Sequence, residues 1–214
     1  MTERVAFLGV GNMGGRMARR LLAAGYDLSA YDPSPGALSA LASEGARPGS
    51  SPLDAARGAE VVICSLPTAE IVESVVVGPA GVAEVLDPGA TVIDMSTTDP
   101  ATARRVAAAL SSRGVNFLDA PVSRGVSAAA AGTLAIMVGG DEEVLESCLE
   151  MLGHLGSDVV HAGPVGSGQM TKLCNNMMAA VIMQGLAETL VAGVRAGLSI
   201  DVLTRVMSMS SGGS

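Results

Sequence analysis

The chain has 214 residues, enough for one large domain or for one domain and part of a second, and 49% of them are hydrophobic. Its net charge of −8 argues against a general nucleic-acid or anionic-membrane surface, so an anionic ligand needs a local positive site. The cysteines (Cys64, Cys148 and Cys174) lack metal-ligand spacing and indicate reduced thiols in the cytoplasm, and we expect Cys64 and Cys174 to be buried.

Neither a targeting segment nor a metal site is predicted. Glu3 and Arg4 precede a short strand rather than the apolar core of a signal peptide. The longest apolar run, residues 177–183, is far too short to span a bilayer. His154 and His161 have no companion ligands at metal-binding spacing. We therefore expect a cytoplasmic protein without a membrane partner.

The first predicted elements are a buried strand over residues 5–8, a glycine turn and a helix. In the turn's G-x-G-x-x-G pattern, Gly9 permits the tight turn, Gly11 lets the backbone approach a pyrophosphate, and Gly14 lets the helix pack on the strand. The helix N-terminus offers free N–H groups and a positive dipole end to phosphates. The pattern predicts a dinucleotide site formed by Gly9, Val10, Gly11, Asn12, Met13 and Gly14.

An acidic residue, Asp32, ends the second predicted strand, residues 28–31. A carboxylate about 20 residues beyond the glycines typically binds the adenosine ribose hydroxyls. Because it would repel a 2′-phosphate, Asp32 favours NAD over NADP. The alternative is that Asp32 merely begins the turn over residues 32–36.

Strands and helices alternate through the following segments, which predicts a Rossmann-type, doubly wound parallel sheet. Ligands of such sheets bind at the carboxyl ends of the strands. The predicted strand ends, which we expect to converge on one crevice, are Gly9, Asp32, Leu66-Pro67, Ser96-Thr97 and residues 119–121. The further predicted strands cover residues 60–65, 90–94, 115–119, 134–138 and 157–160, and the helices cover residues 36–43, 51–57, 69–76, 101–110 and 141–152.

A long helical pattern runs from residue 168 to residue 196 and is followed by a last helical segment from Asp201. We therefore expect a Rossmann-type domain over residues 1–164, and over residues 165–214 a long interdomain helix with the start of an all-helical domain. Lys172 and Asn176 share one helix face, where they can hold and polarise a hydroxyl or carbonyl oxygen. Burial or a nearby cation would suit Lys172 to proton transfer, whereas a solvated lysine is the alternative.

Three motifs in order carry a specific resemblance that extends over essentially the whole chain. They are residues 9–14 (GVGNMG), residues 119–125 (DAPVSRG) with 131–134 (AGTL), and residues 168–176 (GQMTKLCNN). Together they resemble the β-hydroxyacid dehydrogenase family, which includes 3-hydroxyisobutyrate dehydrogenase and related semialdehyde reductases. The ordered set is far more specific than any one motif.

The resemblance implies metal-free hydride transfer between NAD and a small 3-hydroxy acid or its semialdehyde. By analogy, Lys172 would be the proton donor or acceptor at the substrate oxygen, and Asn176 would position the substrate. Ser123 and the backbone around Gly125 would bind the substrate carboxylate. The nicotinamide half of the cofactor site would be lined by Leu66, Pro67 and Thr97.

Two departures from the family pattern are relevant. The family commonly has Gly where this chain has Arg124, whose guanidinium binds acidic groups bidentately. We hypothesise that Arg124 contacts a second acidic group of the substrate, and the alternative is an arginine turned to solvent. Family members also carry a longer helical domain with another lysine motif, and this sequence stops before it, at Ser214.

Two alternative functions stay open. One is a non-catalytic cofactor-binding or interaction module of the same fold, which the missing helical segment favours and the presence of Lys172, Asn176 and Ser123 disfavours. The other is an imine reductase, which Asp32, Lys172 and the segment over residues 119–123 disfavour. The expected partners are a small anionic substrate and, in the full-length form, further copies in a homodimer or homotetramer.

Overall fold

The computed structural model describes residues 3–212. Contacts divide the chain into two compact units, Met1–Lys172 and Leu173–Ser214. The division falls inside the long helix, eight residues beyond the domain boundary expected after residue 164. That domain boundary stays a prediction.

In the described part of the first unit, one sheet of nine strands forms the centre, in the order β3-β2-β1-β4-β5-β6-β8-β7 with β9 beside β8. Neighbouring strands from β3 to β6 are parallel, as the alternating pattern predicts. The strands are β1 Arg4–Leu8, β2 Asp27–Tyr31, β3 Arg47–Pro48, β4 Val61–Cys64, β5 Thr91–Asp94, β6 Asn116–Asp119, β7 Val122–Ser123, β8 Leu134–Gly139 and β9 Gly156–Gly163.

The sheet is not parallel throughout, because β8 runs antiparallel to both β6 and β7. It then pairs in parallel with β9. The expectation of a parallel sheet is wrong only where β8 pairs with β6 and β7. The alternation of strand and helix patterns does not report strand direction, and the chain reverses through the short segment between β6 and β8.

Within residues 3–212, seven α-helices precede the long one, and side-chain caps set the starts of several. Asp99 accepts bonds from the Ala101 and Thr102 N–H groups and so caps the helix that begins at Pro100. A single 3₁₀ turn covers Val82–Glu84. The helices are α1 Gly14–Ala23, α2 Pro35–Ser43, α3 Pro52–Ala56, α4 Ala69–Val77, α5 Pro100–Ser111, α6 Gly125–Ala131 and α7 Glu142–Leu155.

Helices cover both faces of the sheet, and the core is therefore two aliphatic layers. Every residue of β4 and β5 is buried, as expected for central strands of a doubly wound sheet. One layer includes Phe7, Leu21 and Leu118, and the other includes Leu8 and Leu110. With both faces covered, the carboxyl ends of the parallel strands are the place where a ligand can bind.

The second unit contains most of α8 (Ser167–Arg195), a turn with Gly197 at φ +86°, and α9 (Ile200–Met209). Gly193 lets the two helices approach closely, because a Cβ there would overlap the side chain of Leu203. Cys174 is exposed, so the expectation that it is buried is wrong. Within the described part of this unit, α9 is the element available to cover α8, and Cys174 lies far from their contact at Gly193.

Within the described residues, α8 is long and apolar enough to cross a membrane when judged by length and composition alone. The 177–183 run is too short by itself, but the average over the longer helix meets the criterion. This is weak evidence, because core helices of soluble proteins have the same length and composition.

Candidate active site

A groove of about 670 Å³ opens at the carboxyl ends of β1, β2 and β4. The predicted glycine turn forms one wall of it. Gly9 has φ +90° and its N–H bonds the Tyr31 carbonyl (2.9 Å), so the turn is tied to the end of β2. A Cβ at Gly9 would overlap the Ser65 carbonyl oxygen, so glycine is needed there for space as well as for conformation. The turn therefore requires glycine even without a ligand.

The N-terminus of α1 has the features of an anion-binding site. Among residues 3–212, the N–H groups of Gly11, Asn12 and Met13 have no hydrogen-bond partner, and no side chain caps the helix. A Cβ on Gly11 would meet nothing within 4 Å. Unpaired N–H groups at a helix N-terminus attract phosphate, so this wall fits the pyrophosphate of a dinucleotide.

Asp32 borders the same groove, and both interpretations of it are compatible with its contacts. Its Oδ1 accepts the Ser34 N–H (2.8 Å), which begins the turn, and its Oδ2 accepts the Val10 N–H (2.8 Å). The second bond connects the acid to the glycine turn. Each carboxylate oxygen has a further lone pair, so Asp32 remains able to accept ribose hydroxyls.

A second cavity, of about 360 Å³, contains Ser123, Arg124, Gly125, Thr97 and Lys172. The two cavities share a wall, and this sharing brings the cofactor residues and the substrate residues of the prediction together. The shared residues are Met13, Ser65, Leu66 and Pro67.

Lys172 is the only lysine in the sequence and lies half-buried in this second cavity. Its Nζ donates a hydrogen bond to Ser123 Oγ (3.0 Å), although 49 positions separate the two residues. No carboxylate lies within 4.0 Å of Nζ in the described part of the chain. Burial lowers the pKa of the Lys172 ammonium below its usual value, because the charged form is desolvated. A lowered pKa favours the neutral amine, which can accept a proton, and the part of Lys172 in catalysis stays a prediction.

A buried polar network that the sequence did not reveal holds the start of α8. Asp119 accepts the Gly166 N–H (2.7 Å) and the Gln169 N–H (2.8 Å) with its two carboxylate oxygens. Gln169 is fully buried, its Nε2 donates to the Ser96 carbonyl and its Oε1 accepts the Thr98 N–H, both at 2.9 Å. Asp119 therefore anchors a helix and does not face the crevice. The sequence feature that could have indicated this network was Gln169, a glutamine three residues before Lys172.

Arg124 lies at the edge of the second cavity in a left-handed conformation, φ +84°, which is uncommon outside glycine. Its Nη1 donates to the Thr133 carbonyl (3.1 Å), to Ser157 Oγ (3.0 Å) and to Asp158. The guanidinium lowers the pKa of the exposed Asp158 carboxyl. The bonds all involve Nη1, so Nε and Nη2 keep their donors for another acceptor.

Asn176 lies four positions after Lys172 in α8, within the second unit. Its side chain is exposed. Its part in substrate binding stays a prediction. No group of three or more His, Cys, Asp or Glu side chains suited to a metal ion occurs among residues 3–212.

Comparison with known proteins identifies the family. Residues 4–163 match the model described as the NAD binding domain of 6-phosphogluconate dehydrogenase, and residues 166–214 match that of the NAD-binding domain of NADP-dependent 3-hydroxyisobutyrate dehydrogenase. The 3-hydroxyisobutyrate dehydrogenase of Pseudomonas aeruginosa is 46% identical over 213 residues, covering 100% of this chain and 71% of that protein. The chain belongs to the β-hydroxyacid dehydrogenase family.

Two further relatives support this β-hydroxyacid dehydrogenase assignment. An NAD-dependent L-serine dehydrogenase of the same organism is 44% identical, over 99% of this chain and 71% of the relative. The solved structure of Mycobacterium tuberculosis 3-hydroxyisobutyrate dehydrogenase with L-serine is 40% identical, with a TM-score of 0.94 over 100% of this chain and 72% of that one. The predicted family, the Rossmann-type fold with its long helix, and the NAD-binding oxidoreductase class are confirmed.

Proposed function

We propose that the protein is an NAD-dependent dehydrogenase that interconverts a small 3-hydroxy acid and its semialdehyde, with Lys172 as the proton acceptor or donor. The observation that carries this proposal is the Lys172–Ser123 pair (3.0 Å) in a cavity that shares a wall with the glycine-turn groove. Hydride transfer needs the substrate carbon and the cofactor ring in contact, and the shared wall is where two such ligands meet.

The cofactor is held by groups that this chain provides. The unpaired N–H groups of Gly11, Asn12 and Met13 bind the pyrophosphate, and Asp32 binds the adenosine ribose. Leu66, Pro67 and Thr97 border the nicotinamide half. When bound, NAD supplies the ring carbon that takes or returns the hydride. Asp32 favours NAD because a 2′-phosphate beside its carboxylate would be repelled.

In the proposed mechanism, Lys172 transfers the proton. In oxidation, the neutral amine accepts the hydroxyl proton as the hydride leaves the carbinol carbon, and in reduction the ammonium returns it to the carbonyl oxygen. Desolvation favours the neutral amine, and the absence of a carboxylate within 4.0 Å among the described residues leaves this effect uncompensated. Ser123 orients Nζ, and Ser123 with the Gly125 backbone receives the substrate carboxylate.

The substrate class follows from what two relatives have in common. Their names specify 3-hydroxyisobutyrate and L-serine, which are both 3-hydroxy acids that differ at the second carbon. The free donors of Arg124 point to an additional acidic group on the substrate of this chain. Asn176 contributes a further hydrogen bond to the substrate.

The cellular setting is proposed from composition and from the second unit. The net charge of −8 disfavours nucleic-acid partners, and the thiols fit the cytoplasm. Polar residues recur along α8 (Lys172, Asn176, Gln184 and Glu188), so we assign the helix to an all-helical domain and not to a membrane. Its exposed apolar side chains, such as Met177 and Val181, are expected to pack in a homodimer or homotetramer of the full-length enzyme.

The test compares the full-length wild-type enzyme with Lys172→Ala and with Arg195→Ala as a control on the same helix. Lys172→Ala should keep NAD affinity within about twofold and lose turnover by roughly 10²–10⁴-fold, the usual contribution of a positioned acid–base group. Near-normal turnover would refute the assignment. If the wild type and both variants bound NAD but showed no turnover, the non-catalytic module would be favoured.

The state of the lysine can be measured independently of activity. Lys172 is the only lysine among these 214 residues, and comparison of ¹³C-methylated wild type with Lys172→Ala identifies its resonance in an NMR titration. The pKa read from the Lys172 resonance should lie below 10.5, the ordinary value for a lysine. A pKa at or above that value would contradict the proposed effect of burial on Lys172.

The proposed role of Arg124 is tested by comparing the turnover of mono- and dianionic substrates by the wild type and by Arg124→Gly. An unchanged preference between the two substrate classes would exclude a role for the guanidinium in substrate choice.

A further inference from the structure

A short series of hydrogen bonds connects Asp94 to the wall shared by the groove and the cavity. Asp94, the last residue of β5, accepts the Ser96 N–H at Oδ1 (3.0 Å). The Ser96 hydroxyl oxygen accepts the Leu66 N–H (2.9 Å). Leu66 lines both cavities. Asp94 is thus connected, through one serine, to the backbone that borders both proposed ligands.

An aspartate such as Asp94 is destabilising in a central, buried strand. It is 1% exposed, and its Oδ2 has no hydrogen-bond partner among residues 3–212. The other residues of β5 are Thr91, Val92 and Ile93, so an apolar side chain would suit the position better if packing were its role. A buried carboxylate oxygen without a partner destabilises a fold, and such groups are concentrated at functional sites.

The titratable groups that face Asp94 come from its two neighbouring strands. Cys64 on β4 and Asp119 on β6 are its in-register partners, and α8 faces this region with the uncharged Gln169. Burial, with a smaller effect of Asp94, raises the thiol pKa of Cys64 well above its usual value, so the thiol stays neutral. Asp119 keeps two N–H donors from the start of α8, whereas burial, followed by repulsion from Asp119, raises the pKa of Asp94 to about 6.

We propose that Asp94 is a positioning residue for the cofactor: through Ser96 it fixes the Leu66 backbone against the nicotinamide half of the dinucleotide, most firmly when its carboxylate is charged. A charged acceptor holds the serine more strongly than a neutral one. The proposal rests on the proposed function, because it requires a dinucleotide in the groove. It also gives a function to the buried acid at this position.

The experiment is isothermal titration calorimetry with NAD⁺ and with ADP-ribose, which lacks the nicotinamide, between pH 5 and pH 8. Wild-type affinity for NAD⁺ should fall roughly three- to tenfold as the pH drops through 6, the difference between a charged and a neutral hydrogen-bond acceptor. Asp94→Asn should show the weaker affinity already at pH 8, with little change down to pH 5. Its affinity for ADP-ribose at pH 8 should equal that of the wild type, since ADP-ribose lacks the nicotinamide ring that the proposal places against Leu66.

Two more variants separate positioning from a general structural role. Thr98→Val removes the other buried oxygen without a partner, Thr98 Oγ1, and should leave both affinities unchanged. Ser96→Ala removes the hydroxyl that holds Leu66, and it should weaken NAD⁺ but not ADP-ribose even if Asp94→Asn does not fold. The proposal is overturned if the variants lose affinity for NAD⁺ and for ADP-ribose to the same extent. It is also overturned if Asp94→Asn and Ser96→Ala both bind NAD⁺ as tightly as the wild type. Failure of the wild type to bind NAD⁺ would instead refute the proposed function.

Discussion

The glycine turn allows cofactor binding to be separated from folding with two single-atom changes. Gly11→Ala and Gly14→Ala each add one Cβ within the same motif. At Gly14 the Cβ would overlap the Gly9 carbonyl oxygen and lie 3.0 Å from Phe7 Cε1 in the core. At Gly11 it would meet nothing within 4 Å, because that side of the turn opens on the groove. The two variants should therefore fail in different ways.

The magnitudes follow from these contacts. Neither glycine has a positive φ, so sterics alone decide the outcome. Gly14→Ala forces α1 away from β1, and overpacking of this kind costs about 3 kcal/mol, or roughly 6–12 °C in Tm for a chain of this size. Gly11→Ala should keep its stability, or gain about 0.5 kcal/mol from reduced unfolded-state entropy. It should lose NAD affinity by about tenfold or more, since the methyl group occupies the space of the pyrophosphate.

Thermal unfolding and calorimetric titration with NAD⁺ measure both quantities on the same samples. Gly36→Ala is the matched control, because a Cβ there also meets nothing within 4 Å and α2 lies outside the groove lining. Gly36→Ala should lower neither the thermal stability nor the affinity for NAD⁺. If Gly11→Ala bound NAD⁺ as tightly as the wild type, the pyrophosphate would not lie against this turn. A Gly14→Ala protein of wild-type stability would show that the close packing of α1 on β1 is not required.

Further predictions concern two buried acids and one exposed acid. Burial raises the pKa of Asp94 from its ordinary value of 3.8 to about 6 in the folded state. Its contribution to stability is therefore full below the unfolded pKa and is lost as the pH rises through 6, by about 3 kcal/mol at most. Urea unfolding of Asp94→Asn should therefore show a smaller loss of stability between pH 4 and pH 7, and a loss as steep as that of the wild type would rule out Asp94 as its source. Asp119→Asn should lower the free energy of unfolding by about 2 kcal/mol, because its amide cannot accept both N–H groups at the start of α8, and an unchanged urea midpoint would argue against that anchor. Glu73→Gln breaks an exposed ion pair with Arg105 and should change stability by less than about 1 kcal/mol, so a larger effect would indicate coupling to other residues.

Local features of the fold were predictable because they depend on neighbouring residues. The glycine turn and the strands β1, β2 and β4 to β6 depend on short-range sterics and periodicity, whereas the two-residue strand β3 was not predicted. The reversal at β8 was not predictable, because pairing between distant strands leaves no mark in either strand alone. The exposure of Cys174 was missed for a related reason, since an apolar helix pattern does not reveal what covers it.

In the candidate site, too, some features could be predicted from the sequence and others needed the folded chain. The fingerprint and Asp32 were predicted from spacing, and roles for Ser123 and Lys172 were predicted from family motifs. The 3.0 Å contact between Ser123 and Lys172 needed the folded chain. Gln169 and Asp94 were not singled out, because a polar residue in an apolar stretch acquires meaning only through its buried partners.

The sequence by itself determined the βαβ architecture, the dinucleotide turn and the family, since these follow from periodicity, glycine sterics and ordered motifs. Tertiary structure decided which distant residues contact each other and which of them are buried. It brought Lys172 to Ser123 across 49 positions and buried the lysine enough to lower its pKa. It also placed Asp94 and Asp119 on adjacent strands, where only one of them receives the N–H groups of α8. Burial and long-range hydrogen bonding are properties of the packed chain, so composition and spacing cannot supply them.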